Sequence, residues 1–196
     1  MKKVNTKTLA GLGLMTAIVI VLQLVGGAIR FGTFSISLVL LPIVVGAALY
    51  GAGAGAWLGF VFGTAVLLSG VLLSGDVVVF LEVNALGAVI LCLAKGTLAG
   101  LCAGLVYKLA EKKSKILGTA LAAVTAPVVN TGIFLLGCWA FFLDTVKGWA
   151  AAAGVENVGM FMLVGFVGIN FVIELAVNVL LCPVVVRVVD AGKKMK

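Results

Sequence analysis

The chain contains no histidine. That absence removes His–metal sites, Ser–His triads and imidazole acid–base catalysis together. Charged residues are scarce as well, at 11% of 196 residues against 63% hydrophobic. A water-soluble domain of this length needs far more polar surface. The four cysteines, Cys92, Cys102, Cys138 and Cys182, stand singly inside apolar stretches. Without metal-site spacing they read as small core residues, and no metal site is expected. No G-x-x-x-x-G-K loop followed by Ser or Thr is present, so the chain does not itself hydrolyse ATP.

What remains is an integral membrane protein, with a mean hydropathy of +1.32. Six spans of about 20 residues use nearly all of the chain, which predicts one membrane domain over residues 1–196. The net charge of +7 is unevenly placed. Lys2, Lys3 and Lys7 form one group. Lys108, Lys112, Lys113 and Lys115 form a second, and Arg187, Lys193, Lys194 and Lys196 a third. Basic residues flanking spans stay in the cytoplasm, so an even number of crossings separates each pair of groups. The expected fold is therefore an all-α, six-transmembrane-helix bundle in the cell membrane, with both termini cytoplasmic. No basic face is interleaved with aromatics, which argues against nucleic acid.

Hydrophobicity places the helices at about 8–28, 36–50, 54–73, 85–109, 116–143 and 160–186, with outer loops at 30–35 and 144–157 and an outer loop or partly helical lid at 74–84. Pro42 is expected to bend the second segment and Pro127 to kink the fifth. Lys2 and Lys3 before an apolar run also imitate a signal peptide. Cleavage there would strand a basic group outside, so the first segment is expected to be retained.

Small residues recur at four-residue spacing: Gly51, Gly55, Gly59 and Gly63; Gly96, Gly100 and Gly104; Gly118, Ala122 and Ala126; and, more briefly, Gly13 and Ala17. Each stripe is either internal close packing or a face for a partner helix. Ionisable and amide groups inside spans are the functional candidates. Asn170, Glu174 and Asn178 form a row in segment six, Asn130 and Thr131 lie in segment five, and Lys95 in segment four. Either these groups line a small-molecule cavity, or Lys95 and Glu174 neutralise each other while the asparagines bond between helices. Trp149 in the last outer loop is the tryptophan best placed to stack on a ligand; Trp57 and Trp139 read as packing or interface anchors. An intramembrane enzyme needs a nucleophile–base pair or a carboxylate cluster, and a single intramembrane acid does not supply one. A stand-alone carrier remains the alternative to a binding subunit that borrows its energy.

Several segments, in order, resemble the substrate-binding S component of an energy-coupling factor (ECF) transporter. They are Leu12–Gln23 with Gly13 and Ala17, Phe34-Ser35-Ile36-Ser37-Leu38-Val39-Leu40-Leu41-Pro42, Leu49-Tyr50-Gly51 with its glycine row, Lys95-Gly96 with Ala99-Gly100, Val129-Asn130-Thr131 and Asn170-Phe171-Val172-Ile173-Glu174. The resemblance implies a vitamin or related micronutrient captured from outside. It implies partnership with a membrane scaffold and two ATPase subunits that hydrolyse the ATP, and no cofactor of the chain's own. It carries the docking face onto Gly13 and Ala17, the ligand cap onto Arg30–Ser35, and ligand contacts onto Lys95, Asn130, Asn170 and Glu174. Riboflavin-binding members carry a basic residue near the position of Glu174, so the acid here weakens a riboflavin assignment. Lys95 with Arg30 suits a carboxylated ligand, and Glu174 an amine or ring nitrogen.

Overall fold

A computed structural model describes residues 6–28, 30–31, 34–35, 38–74 and 77–194. Lys2, Lys3, Asp76 and Lys196 lie outside them. The order is α1 (Thr6–Ala28), a minimal hairpin of β1 (Arg30–Phe31) and β2 (Phe34–Ser35), α2 (Leu40–Tyr50), α3 (Ala52–Ser69), α4 (Val78–Ala110), α5 (Lys115–Phe141), α6 (Leu143–Ala152), α7 (Val158–Met160), α8 (Gly168–Leu180) and α9 (Cys182–Lys194). Among the described residues, four helices are long and apolar enough to cross a membrane: Thr6–Gly26, Ala52–Leu73, Val78–Ala110 and Lys115–Phe141. A fifth crossing arises if Val158–Phe166 and Gly168–Leu180, bent by 44°, count as one span. The remaining apolar helix, Leu40–Tyr50, is only 11 residues long.

That short helix is buried along almost its whole length, from Pro42 to Leu49. Leu40, Ile43 and Val44 pack with Leu58, Phe62, Ala103, Tyr107, Ala122 and Ala126 in one core cluster. A second cluster gathers Phe80, Leu91, Cys138, Phe142, Val146, Met162 and Phe166 around the other end of α4 and α5. Between α3 and α4 the backbones meet directly. A methyl group added at Gly55, Gly59 or Gly63 would strike the carbonyl oxygens of Gly100, Gly96 and Cys92 respectively. These stripes are therefore internal, and glycine is needed there for close helix approach. Gly118, Ala122 and Ala126 are likewise buried in α5.

The breaks fall partly where the sequence placed them. Asn84 is non-helical (φ −155°, ψ 90°), and its Oδ1 accepts from the Gly87 N–H at 2.9 Å. It caps the helix that continues to Ala110, as an Asn does at an N-terminus. The stretch over 74–84, a loop or a partly helical lid by sequence, is helical from Val78. The loop expected over 144–157 is also largely helix, α6, followed by a turn in which Gly154 adopts φ +71°. Pro42 stands in the first turn of α2, where its missing N–H has no helical partner to lose, so it marks the start of the helix. α5 runs on as one helix through Pro127. The sixth segment, expected whole over 160–186, breaks twice. A π-helical stretch, Phe161–Phe166, ends at Val167. Leu181 then separates α8 from α9, because Pro183 cannot donate to the preceding turn.

Candidate functional site

α8 packs on α5, and both helices carry polar residues. Four-residue spacing puts Asn170, Glu174 and Asn178 on one face of α8. Glu174 retains 7% exposure and Asn178 1%; Asn130, on α5, retains 7%. The Asn178 Nδ2 donates to the Glu174 backbone carbonyl at 2.7 Å. The Oδ1 atoms of Asn130, Asn170 and Asn178 are buried without a hydrogen-bond partner. In native structures such orphans are few, and each calls for a physical cause.

The row continues into aromatic side chains. Phe134 stands one turn beyond Asn130 on α5, and Phe166 precedes Asn170 across the bend into α8. Their rings stack at 5.7 Å between centroids, 23° apart. The Lys95 ammonium lies 5.2 Å from the Phe134 centroid and 5.9 Å from that of Phe62, a geometry in which the ring faces attract the cation. Trp149, on α6, meets Phe80 edge-on at 5.7 Å and Phe166 at 5.4 Å. The structure thus places Asn130 on α5 and Asn170 and Glu174 in one row of α8, two helices that pack together along a seam. It joins Lys95 to that seam through Phe134, and Trp149 through Phe166. Arg30 is placed by its backbone, opposite Ser35 in the hairpin. Sequence reasoning passed over Phe134 and Phe166. Extending each polar row by one turn would have found them.

The α1 stripe differs from the others. Gly13 and Ala17 are exposed, and a methyl added at Gly13 meets nothing within 4 Å. On the opposite face, a methyl added at Gly11 would collide with the Tyr50 ring. Two polar ties hold α1 to α3: Trp57 Nε1 donates to Thr16 Oγ1, and Gln23 Nε2 to Ser69 Oγ, both at 3.2 Å. Beside the second tie a mainly apolar groove of about 580 Å³ opens between Ile20 and Leu24 of α1 and Phe60, Thr64 and Leu68 of α3.

Most of the described basic residues gather at one end. There Lys193 Nζ contacts Glu111 at 2.6 Å and donates to the Tyr107 hydroxyl at 3.2 Å, while Lys115 pairs with Asp190 at 2.7 Å. Burial works against the Lys193 ammonium, but the bonds to Glu111 and Tyr107 outweigh it and leave its pKa raised. These pairs tie α9 to the turn between α4 and α5. Lys147 pairs with Asp144 at the N-terminal end of α6.

The family model described as the substrate-specific component of ECF transporters matches residues 7–186. No curated protein matches the chain.

Proposed function

We propose that this chain, which belongs to the ECF transporter family of substrate-specific components, captures a vitamin or related micronutrient from outside the cell for ATP-driven uptake. The energy comes from partners: a membrane scaffold and two ATPase subunits. The ligand sits at the seam of Asn130, Asn170 and Glu174. Lys95 and the Trp149 aromatic cluster form its walls, and the Arg30–Ser35 hairpin caps it. The scaffold docks on the outward face of α1 at Gly13 and Ala17. Six crossings complete the reading, α2 and the bent α7–α8 pair included, with both termini and the Lys112–Lys115 turn in the cytoplasm of a multi-pass plasma-membrane protein.

One observation supports the ligand site. Three buried amide oxygens lack donors, one on α5 (Asn130) and two on α8 (Asn170 and Asn178), and the buried Glu174 shares the α8 row with the latter two. A mainly apolar pocket with a few placed polar groups is what small-molecule recognition requires. A bundle that merely packed would gain by replacing those amides with leucine.

The test is co-expression with an ECF scaffold and its two ATPases in cells deficient in vitamin uptake. The complete set should assemble and restore uptake, and an ATPase disabled in its phosphate loop should abolish it. Uptake by this chain alone would assign it instead as a free-standing carrier.

A further inference from the structure

We infer that the basic end of the bundle binds anionic phospholipid. Lys108, Lys112, Lys113 and Arg187 hold a headgroup of net negative charge, and the apolar side chains beside them take its acyl chains.

Charge at this end does not balance within the chain. The acids available in the α4–α5 turn and in α9 are Glu111 and Asp190 alone. Both are engaged, Glu111 by Lys193 at 2.6 Å and Asp190 by Lys115 at 2.7 Å. Lys108, Lys112, Lys113 and Arg187 are exposed, and none of them has an ion pair or hydrogen bond among the described residues. The two pairs also hold these bases together. Lys108 lies one turn before Glu111, Lys112 and Lys113 directly follow it, and Arg187 stands one turn before Asp190 on α9. Like charges gathered in this way repel one another, and an anion from outside the chain relieves the repulsion.

What lies beside the bases selects a lipid. Leu105, Lys108 and Leu109 share one face of α4 by their spacing, and both leucines are exposed, Leu109 by 70%. Val184, Arg187 and Val188 repeat the arrangement on α9, again with both apolar side chains exposed. Ile116, at the start of α5 beside Lys115, is 65% exposed. A soluble anion or an acidic protein surface would meet the charges and leave these side chains in water. α4 and α5 are long and apolar enough to cross a membrane, so their shared end stands at its surface. There a phospholipid answers both features, its headgroup against the bases and its chains along the apolar residues, and basic residues next to a span attract the anionic kind.

Matched short-chain phosphatidylglycerol and phosphatidylcholine are titrated into the detergent-solubilised full chain. A ligand of the native state raises the unfolding temperature, and the rise gives the half-saturating concentration of each lipid. One base near a membrane surface favours anionic lipid by about fivefold, so phosphatidylglycerol should half-saturate at a concentration lower by about tenfold or more. Raised salt should shrink that gap. Lys108→Gln, Lys112→Gln, Lys113→Gln and Arg187→Gln together should close it. Lys147→Gln, which removes a base paired with Asp144 on α6, should leave it intact. Glycerol phosphate, which carries the charge without the chains, should not stabilise the protein at the same concentrations. The salt series uses the unaltered chain, so it decides the matter even where the combined variant folds poorly. Stabilisation by neither lipid, equal half-saturation, tighter phosphatidylcholine binding, a gap indifferent to salt or to the combined replacements, a gap lost in Lys147→Gln, or equal stabilisation by glycerol phosphate would overturn the proposal.

Discussion

Replacing Gly13 and Ala17 together with leucine should separate binding from transport. Both positions are exposed, and a side chain at Gly13 enters open space. Within the isolated chain the double variant should therefore change stability by no more than about 0.5 kcal/mol per site, and leucine in place of glycine even favours the helix by several tenths of a kcal/mol. Against a partner helix the balance reverses. Overpacking a close helix contact costs about 1–3 kcal/mol per intruding side chain. Two such intrusions, at about 2 kcal/mol or more, weaken assembly by about 30-fold or more. Gly59→Leu is the internal control, since its side chain would run into the Gly96 backbone and must destabilise the bundle itself. Thermal unfolding, ligand retention and pull-down with scaffold and ATPases, measured on all three proteins, give the answer. Wild-type assembly by the double variant would refute the docking face. Unfolding as severe as that of Gly59→Leu would show that α1 packs internally at these positions.

Asn170→Leu and Glu174→Leu should each weaken ligand binding by about tenfold or more while the bundle still folds; unchanged affinity in both would reassign the row to helix packing. Single cysteines on a background lacking the native four should place position 113 inside and position 147 outside, and ready labelling at 113 by an impermeant reagent would sink the six-crossing arrangement. Alkaline pH should loosen α9. Lys193 has a pKa raised above its ordinary 10.5, so its contribution is complete below that value and is lost as pH rises through the higher folded one. Glu111→Gln should flatten that alkaline loss in thermal scans, and an unaltered profile would remove the Lys193–Glu111 pair from the account.

Much of this was readable from residues alone, for identifiable reasons. Long apolar runs gave α1, α3, α4 and α5 because a span in hydrocarbon must satisfy its own backbone, and hydrophobicity reports that directly. The polar row on α8 was visible because a four-residue spacing is a property of the helix itself. The breaks were harder. α6 is helical although its charged residues, Asp144 and Lys147, give the composition of a loop, and Val78–Val83 forms the helical part of the stretch read as a loop or partly helical lid. Helical periodicity is weak over so few residues, and packing of Phe80 and Val146 into the second cluster holds them. The division at Leu181 was legible in Pro183 and was passed over. The stripes at Gly59 and Gly13 look alike in sequence because spacing defines a face without saying what lies against it. Contact with Gly96 in one case and open space in the other is tertiary information. Phe134 and Phe166 escaped notice for the same reason, since an aromatic in an apolar span is unremarkable until its neighbours are known.

The central claim is that this chain binds the substrate and partners drive its transport. Radiolabelled uptake into proteoliposomes tests it most directly, using the molecule found retained by the purified protein. Vesicles holding this chain with the scaffold and both ATPases should accumulate it only when ATP is supplied on the ATPase side, and vesicles lacking this chain should not. Accumulation by this chain alone, or undiminished accumulation by the scaffold and ATPases without it, would contradict the account.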